Sequence, residues 1–216
     1  AATATEQGLY RGQVVPVRVP PSFAPIEADN GVRGDSKLEK LASLPPAFDR
    51  KFGTVTAGNS SFLTDGAAAC LLMSAEKADE LGVPPLARVV SMPLVAMDPL
   101  EELLLGPVAS VPEALDAAEI PLGEVGVWEV HEAFAAPVLA FLKLLADRAY
   151  CRERLGRSEA LGKIDPKKVN AWGGSLALGH PFGATGARLV TTCAERMERE
   201  GAEVGVVTTC AAGALG

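Results

Sequence analysis

The sequence predicts a layered α/β fold, and three observations carry that prediction. Short β-type runs alternate with helical patterns through the second half of the chain. The 216 residues are 48% hydrophobic, enough for a sizeable core. Only 5% are aromatic, and a core of Ala, Val, Leu and Gly lets helices lie close against a sheet. The length fits one large domain or two small ones.

Residues 1–30 are irregular and proline-rich, so they read as an extended connection or edge strand. "DSKLEKLASLP" predicts a helix with Asp35 or Ser36 as N-cap and Pro45 and Pro46 as its stop. "FGTVTAGNSSFLTDG" mixes a short β-type run with turn residues, a composition suited to a loop that wraps a ligand. "AAACLLMSA" is a continuous apolar run of the kind found in buried strands, followed by a helix "EKADELG" ending at Gly82. "ARVVSMPLVAM" predicts a strand and "VPEALDAAEI" a helix.

"VGVWEV" is the next strand and runs directly into "HEAFAAPVLAFLKLLADRAY". There Phe134, Val138, Phe141, Leu142 and Leu145 share one helical face. "KVNAWGG" predicts a short strand before a glycine-rich loop. The helix after that loop places Leu189, Val190, Cys193 and Met197 on one stripe. "EVGVVTT" is the last strand and delivers Cys210 at its C-terminal end. His131, the His180 loop and Cys210 therefore all fall at strand ends, where α/β folds place ligands.

Charge and cysteine spacing narrow the function classes. A net charge of −7 gives no broad basic field for nucleic acid. Cys70, Cys151, Cys193 and Cys210 show no C-x-x-C spacing, so neither a zinc knuckle nor a disulfide framework is indicated. Cys70 and Cys193 read as core and Cys151 as surface. No apolar run approaches the about 20 residues of a membrane span, and the start lacks the pattern of a secretory signal.

The loop "GGSLALGHPFGATGARL" holds five glycines around His180 and Pro181. Gly174 and Gly179 have the spacing of a phosphate-binding loop, but His180 and Pro181 follow where that loop needs Lys and Ser or Thr. A nucleotide cradle is thereby disfavoured. Pro181 stiffens the backbone after His180, and Gly183 and Gly186 let the next helix start close to a bulky group. Taken singly, His131, His180 and Cys210 each have a structural reading: a capping ring, a turn residue and a small buried hydrophobe.

Taken together the motifs resemble the carboxyl-terminal half of the thiolase family, in the branch of the trifunctional protein β subunit and its bacterial long-chain counterparts. The resemblance runs from "EQGLYRGQVVPV" through "GTVTAGNSSFLTDGAA", "LLLGPVAS", "HEAFAAPVLA" and "NAWGGSLALGHPFGATGAR" to "CAAGALG". Most thiolases carry Asn where His131 stands, and the "HEAF" form points to fatty-acid oxidation. The implied fold is one βαβαβαββ-type repeat with a mixed sheet between helical layers. Residues 1–65 would be a remnant of the loop region and connection. Residues 66–216 would be the carboxyl-terminal domain without its last strand.

The implied activity is thiolysis of a 3-ketoacyl-CoA by CoA, with coenzyme A as substrate and no cofactor or metal. Cys210 would be the acid/base cysteine, working near neutral pH after a modest shift from a free pKa of about 8.5. His180 would activate the nucleophilic thiol, and His131 would complete the first oxyanion hole. The N–H of Ala212 would serve the second. Ser61 matches a position lining the pantetheine tunnel, Arg33 one near the CoA nucleotide and Phe134 one beside the reacting groups.

None of the four cysteines matches the family's nucleophile, so the resemblance places that residue in an amino-terminal half outside this chain. Activity would need that half, in a partner chain or a longer precursor. Ala214 stands where the family has Gly, a costly residue if the backbone there needs φ > 0. The expected partners are the CoA thioester, the amino-terminal half, and a second copy or a hydratase/dehydrogenase subunit. The compartment would be the mitochondrial matrix in a eukaryote and the cytoplasm in a bacterium. A non-catalytic assembly subunit and a plain CoA-binding module are the rival readings.

Overall fold

A computed structural model describes all 216 residues. Its centre is a parallel pair of strands, β3 (Val127–Val130) and β4 (Gly205–Thr208), in register from Val127 opposite Gly205 to Val130 opposite Thr208. On its other edge β3 makes a single parallel bridge from Trp128 to Val169. That bridge is all that forms of the strand expected over "KVNAWGG"; a 3-10 turn at Pro166–Lys168 and a positive φ at Asn170 cut it short.

All four β3 residues are buried, because both faces of the strand are covered. Trp128 and Val130 pack with Val108, Val111 and Leu115 of α4 (Gly106–Ala118) and with Phe141 of α5 (Ala135–Leu144). The alternate face carries Glu129, which meets Arg196 of α8 (Phe182–Glu200) at 2.7 Å. Helix α8 lies close enough that an added Cβ at Gly205 would stand 2.5 Å from Cys193 Sγ and 2.6 Å from Met197 Sδ. Glycine at the start of β4 is therefore a packing requirement.

Helix α8 buries Leu189, Thr192, Cys193 and Arg196, while Val190, expected on that stripe, is 38% exposed. The single helix expected over 131–150 is two. Helix α5 ends at Leu144, and Asp147 Oδ1 accepts the amides of Ala149 and Tyr150 to start α6 (Arg148–Leu155). Cys151, expected at the surface, is fully buried, with its thiol turned toward the carbonyls of Leu144 and Leu145. The turn between α5 and α6 folds that face inward. A four-residue helix α7 (Ser175–Leu178) precedes α8.

The first hundred residues hold less regular structure: α1 (Ala2–Glu6), the antiparallel pair β1 (Val17–Arg18) and β2 (Pro25–Ile26), α2 (Leu38–Ala42) and α3 (Ala75–Leu81). Helix α3 ends at Gly82 as predicted, at φ 64°, and it starts at Ser74, a residue of the expected strand, whose Oγ accepts from Lys77 N. Helix α2 has Lys37 as its N-cap, and Ser36 bonds instead to the Arg33 carbonyl. No strand forms over 67–75. Leu71 and Leu72 are exposed there, as is Cys70, expected in the core. The run is apolar as a buried strand must be, but no neighbouring strand of this chain pairs with it. Of the strand expected over 87–97 only the end is paired: Val95 and Gly216 exchange two backbone hydrogen bonds of 2.9 Å, and Met97 N donates to the Ala214 carbonyl.

Candidate active site

His131 is the first residue beyond β3, and its amide continues the ladder by donating to the Thr208 carbonyl at 2.9 Å. The ring is 4% exposed, with Nδ1 2.9 Å from Ser175 Oγ. Burial, the neighbouring His180 and the Arg188 cation together push its pKa down to about 4. Glu132 has other partners than the ring, accepting from Asn170 Nδ2 at 2.7 Å and from Leu176 N at 3.0 Å. Asn170 also bridges Val130 N and the Val130 carbonyl, so it locks the strand exit that carries His131.

His180 arrives from the glycine loop, just after α7. Gly179 precedes it at φ 87°, a conformation that favours glycine, and an added Cβ there would overlap the Thr64 methyl. The loop 62–64 thus packs directly on the histidine turn, and His180 N donates to the Phe62 carbonyl at 3.3 Å. The His180 ring lies 4.0 Å from that of His131, centroid to centroid, and 4.6 Å from Phe182. Its Nδ1 is 2.7 Å from Thr185 Oγ1. Burial and then Arg188 lower its pKa as well, so both imidazoles are neutral at pH 7 and can touch without repulsion. A hollow of about 480 Å³ opens beside His180, lined also by Leu63, Thr64, Asp65 and Phe182.

Two more of the expected residues join this cluster. Ser61 N donates to the Ala133 carbonyl at 2.9 Å, and Ser60 bridges to Phe134, which is the N-cap of α5. Ser61 and Phe134 are therefore held against the strand exit of His131. Cys210 lies two residues past Thr208, at the same end of the sheet, half-buried and with no hydrogen bond from its thiol to either imidazole. Burial raises its pKa; the only opposing influence is its own backbone amide. The shift toward neutrality expected for Cys210 is not seen, because no cation stands beside the thiol. Arg33 and Ala212 are exposed. Gly31, two residues before Arg33, packs against the Ala177 carbonyl of α7, but the structure brings Arg33 itself into no contact with the cluster.

Comparison with known proteins places the chain in a family. Residues 83–216 match the thiolase C-terminal domain and residues 1–76 the thiolase N-terminal domain. The chain belongs to the thiolase family. It is 49% identical over its whole length to a 3-ketoacyl-CoA thiolase of Yersinia enterocolitica, covering 50% of that protein. It is 50% identical to one of Erwinia tasmaniensis, covering 49% of it. The crystal structure of the Bacillus anthracis acetyl-CoA acetyltransferase superposes on all of this chain and on 50% of its own, with a TM-score of 0.84 at 35% identity. The fold is thus thiolase-like, and the chain spans about half the length of the relatives it matches.

Within this thiolase chain, three residues around the imidazoles were not singled out by sequence reasoning. Ser175, Thr185 and Arg188 all lie in the glycine-loop segment, and each contacts a histidine or its hydroxyl partner. Their hydroxyl and guanidinium chemistry was visible in the sequence, but their partners were not. Arg188 is notable for what it lacks: Nη2 donates to Ser175 Oγ at 3.1 Å, while Nε and Nη1 are buried without a partner. A cation so placed disfavours protonation of both rings. No helix is long and apolar enough to cross a membrane.

Proposed function

We propose that the chain forms the histidine-bearing part of a 3-ketoacyl-CoA thiolase of fatty-acid β-oxidation, with CoA as co-substrate and no other cofactor. The observation that carries this reading is the pair of imidazoles in ring contact at the end of the sheet where Cys210 also emerges, His131 following β3 and Cys210 following β4. In this reading the nucleophilic cysteine is none of Cys70, Cys151, Cys193 and Cys210 and is supplied from outside the given residues. Its thiol loses a proton to His180 and attacks the C3 carbonyl of the 3-ketoacyl-CoA. Charge builds on that oxygen, where His131 donates.

Cleavage of the C2–C3 bond sends its electron pair to the acetyl-CoA enolate. The Cys210 thiol, kept protonated by burial, supplies the proton that completes acetyl-CoA. Incoming CoA then loses its thiol proton to the Cys210 thiolate and attacks the acyl-enzyme thioester. The shortened acyl-CoA leaves, and His180 returns its proton to the released nucleophile. Ser61 and Arg33 would border the path of the CoA arm, Phe134 the reacting groups, and the Ala212 N–H the enolate oxygen. The named relatives are bacterial, which supports a cytoplasmic enzyme over a mitochondrial one. A second copy or a hydratase/dehydrogenase subunit remains its proposed partner.

One observation favours a second reading, a non-catalytic assembly subunit. Leu71, Leu72, Val89, Met92 and Leu94 form exposed apolar stretches that suit an interface. Co-production with the amino-terminal half of the Yersinia enterocolitica relative separates the two readings. The thiolase reading expects a complex that consumes 3-ketoacyl-CoA with CoA. It also expects His180→Ala and Cys210→Ala each to slow turnover by about 10²–10⁴-fold. A stable complex with no thiolysis would overturn it in favour of the assembly role.

A further inference from the structure

Each histidine meets a hydroxyl through Nδ1, but the two hydroxyls are differently engaged. Ser175 is fully buried, with Oγ 2.9 Å from His131 Nδ1 and 3.1 Å from Arg188 Nη2. A hydroxyl offers one proton and two lone pairs. Arg188 can only donate, so it occupies a lone pair, and the one acceptor within reach of the Ser175 proton is His131 Nδ1. A proton on Nδ1 would strand the Ser175 O–H in the interior without a partner, which is strongly disfavoured. The His131 proton therefore sits on Nε2, an atom with no protein partner that is not sealed from solvent.

Thr185 reverses the logic. Its Oγ1 lies 2.7 Å from His180 Nδ1 and 3.1 Å from the Pro181 carbonyl, which can only accept. With the Thr185 proton on that carbonyl, a lone pair of Oγ1 faces His180 and accepts its Nδ1–H. Both contacts are used only in this arrangement. His180 Nε2 is then left with its lone pair free.

We propose that Ser175 and Thr185 are positioning residues that hold the two touching imidazoles in opposite tautomers, His131 offering an Nε2–H and His180 an Nε2 lone pair. The use of that asymmetry rests on the thiolase reading: one ring must donate to a thioester oxygen and the other must take a thiol proton. An imidazolium has no tautomer, so neutrality is a precondition. The groups acting on His131 are His180 and Arg188, and Arg188 also acts on His180. Arg188 is itself balanced by Glu129, Tyr10, Glu132 and Asp29.

The chain has only two histidines, which makes the test direct. Two-bond ¹H–¹⁵N spectra of the histidine-labelled chain above pH 7 should show one ring of each tautomer, with His131→Asn assigning them. Ser175→Ala should reduce the tautomer ratio at His131 at least tenfold and leave His180 unmoved. Thr185→Val should do the converse, and Ser175→Thr and Thr185→Ser should restore each pattern. Two rings in the same tautomer in the unsubstituted chain would overturn the proposal, as would variants that leave both patterns unchanged. The unsubstituted spectrum decides even if a variant does not fold. Opposite tautomers in a complex that lacks thiolysis would count against the catalytic reading alone.

Discussion

Residues 1–100 and 101–216 share one thiolase-like backbone but differ sharply in how they close on themselves. Of the 36 buried residues only Ala4 and Ala78 fall in the first region. Leu71 and Leu94 are 78% and 83% exposed, whereas Leu145 and Leu189 are fully enclosed. The second region satisfies its own central ladder and covers both faces of β3. The first supplies the apolar runs 67–75 and 87–97, of which only the end of the second is paired. The candidate site spans the divide, since its histidines stand on the self-sufficient region while the loop 59–64 is lent by the other. The end of β3 thus fixes His131 from within the second region, while the His180 turn is braced by Phe62 and Thr64 of the first.

The largest expected effect that tests this contrast concerns the ion pair beneath β3. Glu129 and Arg196 are both fully buried, and Arg196 also donates to the carbonyls of Trp128 and Lys168 and to Glu200. Arg196→Met would strand the Glu129 carboxylate, at a cost of about 3–5 kcal/mol in urea unfolding. Replacing Glu129 by Leu as well should recover most of that loss, because the apolar pair needs no solvation. Leu71→Ala in the first region should move the same midpoint by less than about 0.5 kcal/mol. Equal effects in the two regions would erase the distinction between them.

How far the sequence revealed this follows the same divide. Strand β3, helix α3 and strand β4 were legible because their periodicity, caps and bounding turns are local signals. The runs 67–75 and 87–97 were misread because an apolar stretch says that burial is wanted, not which segment provides it. Cys151 was misplaced for a related reason: the break at Asp147 that turns its helix inward is a single capping residue within a continuous helical pattern. His131, His180 and Cys210 were found through the family resemblance. Spacing alone put them at strand ends but gave no distances. The Ser175 and Thr185 contacts depend on how α7 and α8 dock, which no local pattern encodes.

A smaller effect should appear as pH falls, and it belongs to the second region alone. His131 has a pKa of about 4 in the folded chain against 6.5 when unperturbed. Between those values the unfolded state binds the proton that the folded state refuses, so stability rises with pH across that window. The contribution is fully present above pH 6.5 and is lost toward pH 4, amounting to at most about 3 kcal/mol. The lowered pKa of His180 acts in the same direction. Urea unfolding of His131→Asn should show a flatter dependence below pH 6.5. An unchanged slope would mean that the ring is not desolvated by the strand exit and its neighbours.

The smallest effect lies at the seam where the two regions meet. Ala214 is fully buried with φ 60°, and its carbonyl accepts from Met97 N in the first region. The left-handed backbone anticipated at this position is thus present on a residue with a Cβ. Ala214→Gly would relieve about 1–2 kcal/mol of steric cost. It would also lose a buried methyl worth about 0.8 kcal/mol and give the unfolded chain extra freedom worth about 0.4–1 kcal/mol. These terms nearly cancel, so the urea midpoint should shift by no more than about 0.5 kcal/mol. Gly would nevertheless let the turn breathe, and amide exchange at Val95 and Gly216 should rise while β3 and β4 stay protected. Loss of protection in β3 and β4 as well would show that the seam is part of the second region's core and not its boundary.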